Sequence, residues 1–384
     1  MISRTDNSFL AEWWRTLDRQ LLSAILLLMF CGVMLSFSAS PPVAERLDAS
    51  EYHFIQKHLI FLTPALLLVF GLSMLKPLHV RQIALIIFVG SILLLLLTLF
   101  IGSETKGSRR WIDFGLFTFQ ASEFVKPSFA VVVAWLFAEN ARRPDIPCNL
   151  FSIILFGIVS VLLIAQPDLG QTMLIAAVWG GLFFIAGMSW IWILALASLG
   201  LVGLFSAYVL FPHVASRIDR FVFGEGDNFQ VNTGIEAIVN GGWLGQGPGE
   251  GTIKKILPDA HTDFSFAVVA EEFGIIACML LVAIYAFIVI RCFLKAFNER
   301  DDYIRLAISG LALLIGFQSF INIGVNLQLL PAKGMTLPFI SYGGSSMIAT
   351  AIATGFLLAL TRSRTESRTS SVIGPGFRVA SPAE

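Results

Sequence analysis

The sequence is short of charge. Only 14% of its 384 residues are Asp, Glu, Lys or Arg, against about 25% in an ordinary soluble domain. So little polar side chain cannot cover a water-exposed surface of this size. A soluble enzyme is excluded, and so is a disordered chain, which needs high charge and few apolar residues. Neither sign dominates, with 26 basic and 26 acidic residues. There is therefore no basic excess to serve as the footprint of a nucleic-acid binder. Cysteine is scarce too: Cys31, Cys148, Cys278 and Cys292, with no CxxC pair. That argues against a disulfide framework or a zinc site and for thiols buried as small hydrophobes. No internal repeat stands out of the kind that an inverted-repeat transporter carries.

What is abundant is apolar: 56% of the chain, including 34 Phe. A spanning helix needs about 20 mainly apolar residues. About ten such runs are present, near 21–40, 57–75, 82–101, 121–138, 150–166, 170–187, 190–211, 264–292, 304–325 and 346–361. The predicted fold class is thus an all-α polytopic membrane protein of about ten transmembrane helices. Only the QPDLG turn at 166–170 separates the short fifth and sixth runs, so nine spans plus a re-entrant segment is the alternative. The first run is longer than the core of a cleaved signal. Residues 1–20, with Trp13, Trp14, Arg15 and Arg19, suit an interfacial cytoplasmic helix. Residues 21–361 form the membrane domain, 212–262 its one large extracytoplasmic loop, and the Ser-, Arg- and Pro-rich 362–384 a disordered cytoplasmic tail.

Ten spans put both ends on one side. Placing that side in the cytoplasm puts 15 of the 26 basic residues there, in keeping with the positive-inside rule. The outer cations are concentrated at 106–110, 217–220 and 254–255. A long loop is exempt from the rule, which accounts for 217–255. The short loop holding Lys106, Arg109 and Arg110 is not exempt, and binding an anionic group is the other explanation.

Chemistry-bearing residues gather at the same side. The large loop ends NGGWLGQGPGEGTIKKILPDAHTDFSF. Its recurring glycines fail the dinucleotide spacing and lack a surrounding βαβ unit. They mark either a plain loop or backbone that approaches a partner closely. Asp263 falls at the mouth of the following span, where helix N-capping is the ordinary role of an Asp. Capping does not explain Lys254, Lys255, Asp259 and His261 beside it. A carboxylate at a membrane boundary among cations suits a general base next to an anionic leaving group. Glu271 and Glu272 are expected about 12 Å deeper, where charge is costly and demands a cavity or a partner. Glu123 and Lys126 share a helix face at i,i+3 spacing and are expected to pair. From 322 to 346 the sequence breaks helix repeatedly with Pro and Gly inside an apolar stretch, as a loop folded into the bundle would.

Four of these segments together resemble the SEDS family of bacterial membrane proteins: GSRRWI at 107–112, QPDLG at 166–170, LPDAHTDFSFAVVAEEFG at 257–274, and the stretch from Asn322 to Ser346. Their order and the ten spans match from about 20 to 361. The resemblance implies polymerisation of lipid II into peptidoglycan glycan strands on the outer face of the cytoplasmic membrane, with release of undecaprenyl pyrophosphate. It also implies a class B penicillin-binding protein as partner, together with other proteins of the division machinery and membrane lipid. Asp263 matches the family's catalytic aspartate. Lys126, Arg109 and Arg110 match cations that would bind the pyrophosphate, and His261 and Glu272 are further candidates. A divalent cation, Mg or Mn, could assist, though the sequence shows no closed ligand set. The segment AKGMT at 332–336 is closer to the division branch than to the elongation branch. Gln328 stands where the family usually has Gly, and QASE at 120–123 departs from QPAE. Two other functions share the same needs: a lipid II flippase, whose costly charges would sit near the midplane, and a scaffold, which would not need Asp263.

Overall fold

The computed structural model describes residues 8–46, 50, 52–105, 108–113, 115, 118–210, 215, 219, 223, 229–331 and 334–363. Lys106, Lys333, the greater part of 211–228 and the tail from 364 onward lie outside the described residues.

Among the described residues, ten helices are arranged as the ten expected spans: α2 (Arg19–Arg46), α3 (His53–Ser73), α4 (Pro77–Ile101), α5 (Ala121–Arg142), α6 (Cys148–Ala165), α7 (Leu169–Ile185), α8 (Trp190–Leu210), α10 (Ser265–Phe297), α11 (Asp302–Asn326) and α12 (Gly344–Leu360). Eight are long and apolar enough to cross a membrane, while α7 and α12 are shorter apolar helices. The fifth and sixth runs are two separate helices joined by the QPDLG turn. Two further helices lie between or before the spans: α1 (Phe9–Thr16) and α9 (Phe229–Gly241). A small antiparallel sheet, β1 (Ser103–Thr105), β2 (Ser108–Asp113) and β3 (Thr118–Phe119), joins α4 to α5.

Sequence chemistry sets several helix ends. Ser8 accepts the Ala11 N–H and caps α1, Asp18 accepts the Leu21 N–H at the start of α2, and Asp168 accepts the Gln171 N–H at α7. Pro77 opens α4, where its missing N–H costs nothing.

The centre of the bundle is α5, α11 and α12. In α5, 83% of the apolar window is buried inside the protein, in α11 67%, and in α8 none. In lipid, helices associate through close packing and not through the hydrophobic effect. Accordingly α12 packs along α3 with small residues at the contact. A Cβ at Gly355 would lie 2.8 Å from the Leu72 side chain. The four cysteines are free thiols, and Cys148, Cys278 and Cys292 are buried.

Two faces follow from the helix order. One carries the start of α2 and the end of α12. The other, called here the loop face, carries the sheet, the α6–α7 turn, α9, the glycine-rich segment and the 327–343 loop.

Candidate active site

The glycine-rich segment is not a plain loop: it is docked into a break in α10. At Gly274 the backbone adopts φ 78°, ψ 177°, which only glycine enters readily. The backbone groups freed by the break are taken up by the segment. Ile275 and Ile276 donate N–H to the carbonyls of Gly242 and Trp243, and the carbonyls of Glu271 and Glu272 accept N–H from Gln246 and Gly247. Backbone meets backbone so closely that a Cβ on Gly241 would come within 1.9 Å of the Ala270 oxygen. Broken helices survive in membranes where protein covers the break, and this segment is that cover.

Glu271 and Glu272, just before the break, meet the docked segment. Both hold the segment. The Glu271 carboxylate accepts the N–H of Ile253 at 2.7 Å and of Lys254 at 2.9 Å, where a short 3-10 turn (Ile253–Lys255) begins. Glu272 is paired with the buried Lys254 ammonium, which also donates to the carbonyls of Ser38 and Gly249. Glu272 was expected among substrate-binding residues. In the structure it is buried and paired with Lys254.

Asp263 does not cap α10. The helix begins at Ser265 and its N-cap position is Phe264. The reason is the preceding turn: the N–H groups of Thr262, Asp263 and Phe264 all point back to the Asp259 carbonyl. This leaves the Asp263 side chain outside the helix. Its own carbonyl accepts the amide groups of Asn322 and Asn326, each at 3.0 Å, from α11. Asn322 also donates to the Met335 carbonyl, so one side chain holds Asp263 and the last loop in register. The carboxylate of half-buried Asp263 lies against Gly334, where a Cβ would stand 3.3 Å from Oδ2. His261 is fixed by its neighbours. Its carbonyl accepts the Tyr342 N–H at 2.8 Å, and its ring lies against Phe54 and Tyr342.

The 327–343 loop is folded in as expected, with Met335, Leu337, Phe339 and Ile340 buried. Gln328 has φ 56°, the left-handed region, which explains physically why glycine is the usual residue there.

Lys126 is buried and pairs with Glu123 at 2.7 Å, the i,i+3 contact expected from the spacing. Two residues that the sequence reading passed over complete the arrangement. Gln171 donates to the other Glu123 oxygen at 2.8 Å, and the Gln318 oxygen accepts from Lys126 at 3.0 Å. The Gln318 amide nitrogen donates to the Thr336 carbonyl at 3.0 Å. The only signal available for either was a lone Gln inside an apolar run.

Arg110 clamps the QPDLG turn. It donates to the carbonyls of Gln166 and Pro167, and its guanidinium is 3.8 Å from Asp168. Asp168 in turn lies within electrostatic range of Glu123 and Lys126. Arg110, half-buried, and Lys126, buried, therefore share one network through Asp168, whereas Arg109 is exposed on the sheet. Among the described residues, no group of three His, Cys, Asp or Glu side chains is arranged to hold a metal ion.

Ten apolar helices, with an acid, paired buried cations and a folded-in loop gathered at one face, define a polytopic membrane protein with a candidate site at that face. Residues 19–366 match the cell cycle protein family FTSW_RODA_SPOVE, and the chain belongs to that family. It is 43% identical to the probable peptidoglycan glycosyltransferase FtsW of Caulobacter vibrioides (strain NA1000 / CB15N), covering 94% of this chain and 93% of that one. It is 32% identical to the protein of the same name from Hydrogenovibrio crunogenus, covering 89% and 90%. Among solved structures it resembles one described as structural coordination of polymerization and crosslinking by a peptidoglycan synthase complex, with TM-score 0.75, 28% identity and coverage of 91% and 98%. It also resembles the rod shape determining protein RodA of Thermus thermophilus, with TM-score 0.67, 28% identity and coverage of 91% and 97%.

Proposed function

We propose that this chain is a peptidoglycan glycosyltransferase of the division machinery, polymerising lipid II at the septum. Its loop face is outward and both termini are cytoplasmic. The observation that carries the reading is Asp263: a half-buried carboxylate outside the helix, with its backbone held by Asn322 and Asn326. A side chain at Gly334 would occupy hydrogen-bond distance from Oδ2; glycine leaves that space to a sugar hydroxyl.

The 4-hydroxyl of the acceptor lipid II attacks the anomeric carbon of the growing chain. The glycosidic C–O bond forms, the bond from that carbon to the pyrophosphate oxygen breaks, and undecaprenyl pyrophosphate leaves. Asp263 takes the hydroxyl proton as general base. Exposed Arg109 meets the pyrophosphate directly. Arg110 and Lys126, already engaged in the protein, supply fixed positive charge that favours the departing anion. His261 shapes the wall beside Asp263. A class B penicillin-binding protein is the partner, as the relationship to a peptidoglycan synthase complex supports.

The test is purified protein with its penicillin-binding protein and lipid II, with products resolved on a gel. Glycan strands are expected. Transfer of lipid II across a vesicle membrane without strand formation would replace this reading with a flippase. Orientation is checked separately with Glu250→Cys. An impermeant thiol reagent should label it in intact spheroplasts, and labelling only after lysis would reverse the topology.

A further inference from the structure

We infer that Gln318 is a positioning residue: its side-chain amide holds the Lys126 ammonium and the Asp263-bearing side of the site at a fixed separation. The inference rests on the glycosyltransferase reading and adds to it a residue that touches neither sugar nor pyrophosphate.

Gln318 is 4% exposed and lies on α11, between α5 and the folded-in loop. Both ends of its amide are used in a defined sense. The oxygen accepts from Lys126 Nζ at 3.0 Å, and the nitrogen donates to the Thr336 carbonyl at 3.0 Å. An ammonium has only donors and a carbonyl only acceptor sites. A side-chain amide is suited to bridge them, being an acceptor at one end and a donor at the other. On the far side, Lys126 meets Glu123, and Glu123 meets Gln171. On the near side, Thr336 follows Met335, whose carbonyl is held by Asn322, the same side chain that holds the Asp263 carbonyl. Gln318 and Asn322 are one helical turn apart on α11. One helix thereby sets the place of both the cation and the base. In a buried setting, reversing or deleting either end leaves a polar group without its partner.

The experiment uses two variants in the polymerisation assay, with the penicillin-binding protein present. Gln318→Glu keeps an acceptor for Lys126. Its ionised carboxylate, however, sets an oxygen against the Thr336 carbonyl, and only the protonated acid reproduces the amide's pattern. The charged groups facing this position are Lys126 and Glu123 from α5, with Asp168 from the α6–α7 turn behind them. Displacing a reacting group by about 1 Å can cost about 100-fold in rate. Gln318→Glu is expected to lose about that much at neutral pH and to regain at least about tenfold, relative to the parent, as pH falls to about 5.5. Gln318→Met matches the volume and removes both hydrogen bonds. It should lose about 100-fold with a pH profile parallel to the parent. A Gln318→Glu profile parallel to the parent's overturns the positioning role, as does a Gln318→Met variant within about threefold of the parent rate. If Gln318→Glu does not fold, the Met variant decides alone. A parent protein that makes no strands overturns the glycosyltransferase reading and this inference with it.

Discussion

Among the ion pairs of the described residues, two clusters, one towards each face, are built differently. Towards the loop face, Glu123 and Lys126 are almost wholly buried, with side chains 6% and 3% exposed. Gln171 donates to Glu123, and Gln318 accepts from Lys126. On the opposite face, Asp18 is buried, but its partners Arg291 and Lys295 keep 30% and 32% of their side-chain surface exposed. The second cluster fastens the end of α10 to the start of α2 and lets the cations reach water, as long basic side chains at a membrane boundary do. The first gives up solvation altogether. A buried pair is a poor device for stability alone, since desolvation offsets most of its attraction. This pair lies towards the face that also holds Asp263.

The comparison can be broken most decisively at Asp263. Asp263→Asn keeps the shape and the backbone hydrogen bonds but cannot take a proton. Loss of a positioned base costs about 100- to 10,000-fold in rate. Strand synthesis at more than about a tenth of the parent rate, at normal expression, would remove Asp263 from the role of base.

Lys126→Met tests how the buried cluster is paired. It strands the Glu123 carboxylate in the interior and should destabilise the protein by about 3–5 kcal/mol, read as a large fall in the unfolding temperature in detergent. Adding Glu123→Gln should restore most of the stability but not the activity. A double variant as unstable as the single one would mean that the loss came from packing.

Asp18→Asn is the matching change on the other face and should cost only about 1 kcal/mol, because Asn preserves the cap on α2 and the cations regain water. Burial by itself pushes the Asp18 carboxyl up. The hydrogen bonds from Arg291 and the Leu21 N–H and the charges of Arg291 and Lys295 outweigh it and hold the group below its ordinary value. Its contribution to stability is therefore complete above the unfolded carboxylate value of about 3.9 and fades as pH falls through the lower folded-state value. Unfolding measured from pH 6 downward should show the parent losing its advantage over Asp18→Asn only below about pH 4. An advantage already lost at about pH 5 would mean that Asp18 is not held down.

The smallest expected effect is at Gln328, whose left-handed backbone strains a residue with a Cβ. Gln328→Gly should raise stability by about 0.5 kcal/mol, the relief of strain being partly offset by the freer unfolded chain. Destabilisation instead would show that the contact from Gln328 to Asn232 matters more than the backbone.

The sequence by itself determined the ten spans, because a run of about 20 apolar residues has no other stable place than a membrane. It also determined the Glu123–Lys126 pair, since i,i+3 residues meet on any helix. Local capping was misleading at Asp263, where a turn around Asp259 starts the helix two residues later. The glycines of 241–251 announced close approach without naming what is approached. Only the tertiary structure joined them to the break at Gly274 and gave Glu271 and Glu272 their partners. Gln171 and Gln318 were invisible for the same reason. Their partners are 48 and 192 residues away in the chain, and a hydrogen bond between distant segments is set by how the helices pack, which no local pattern records.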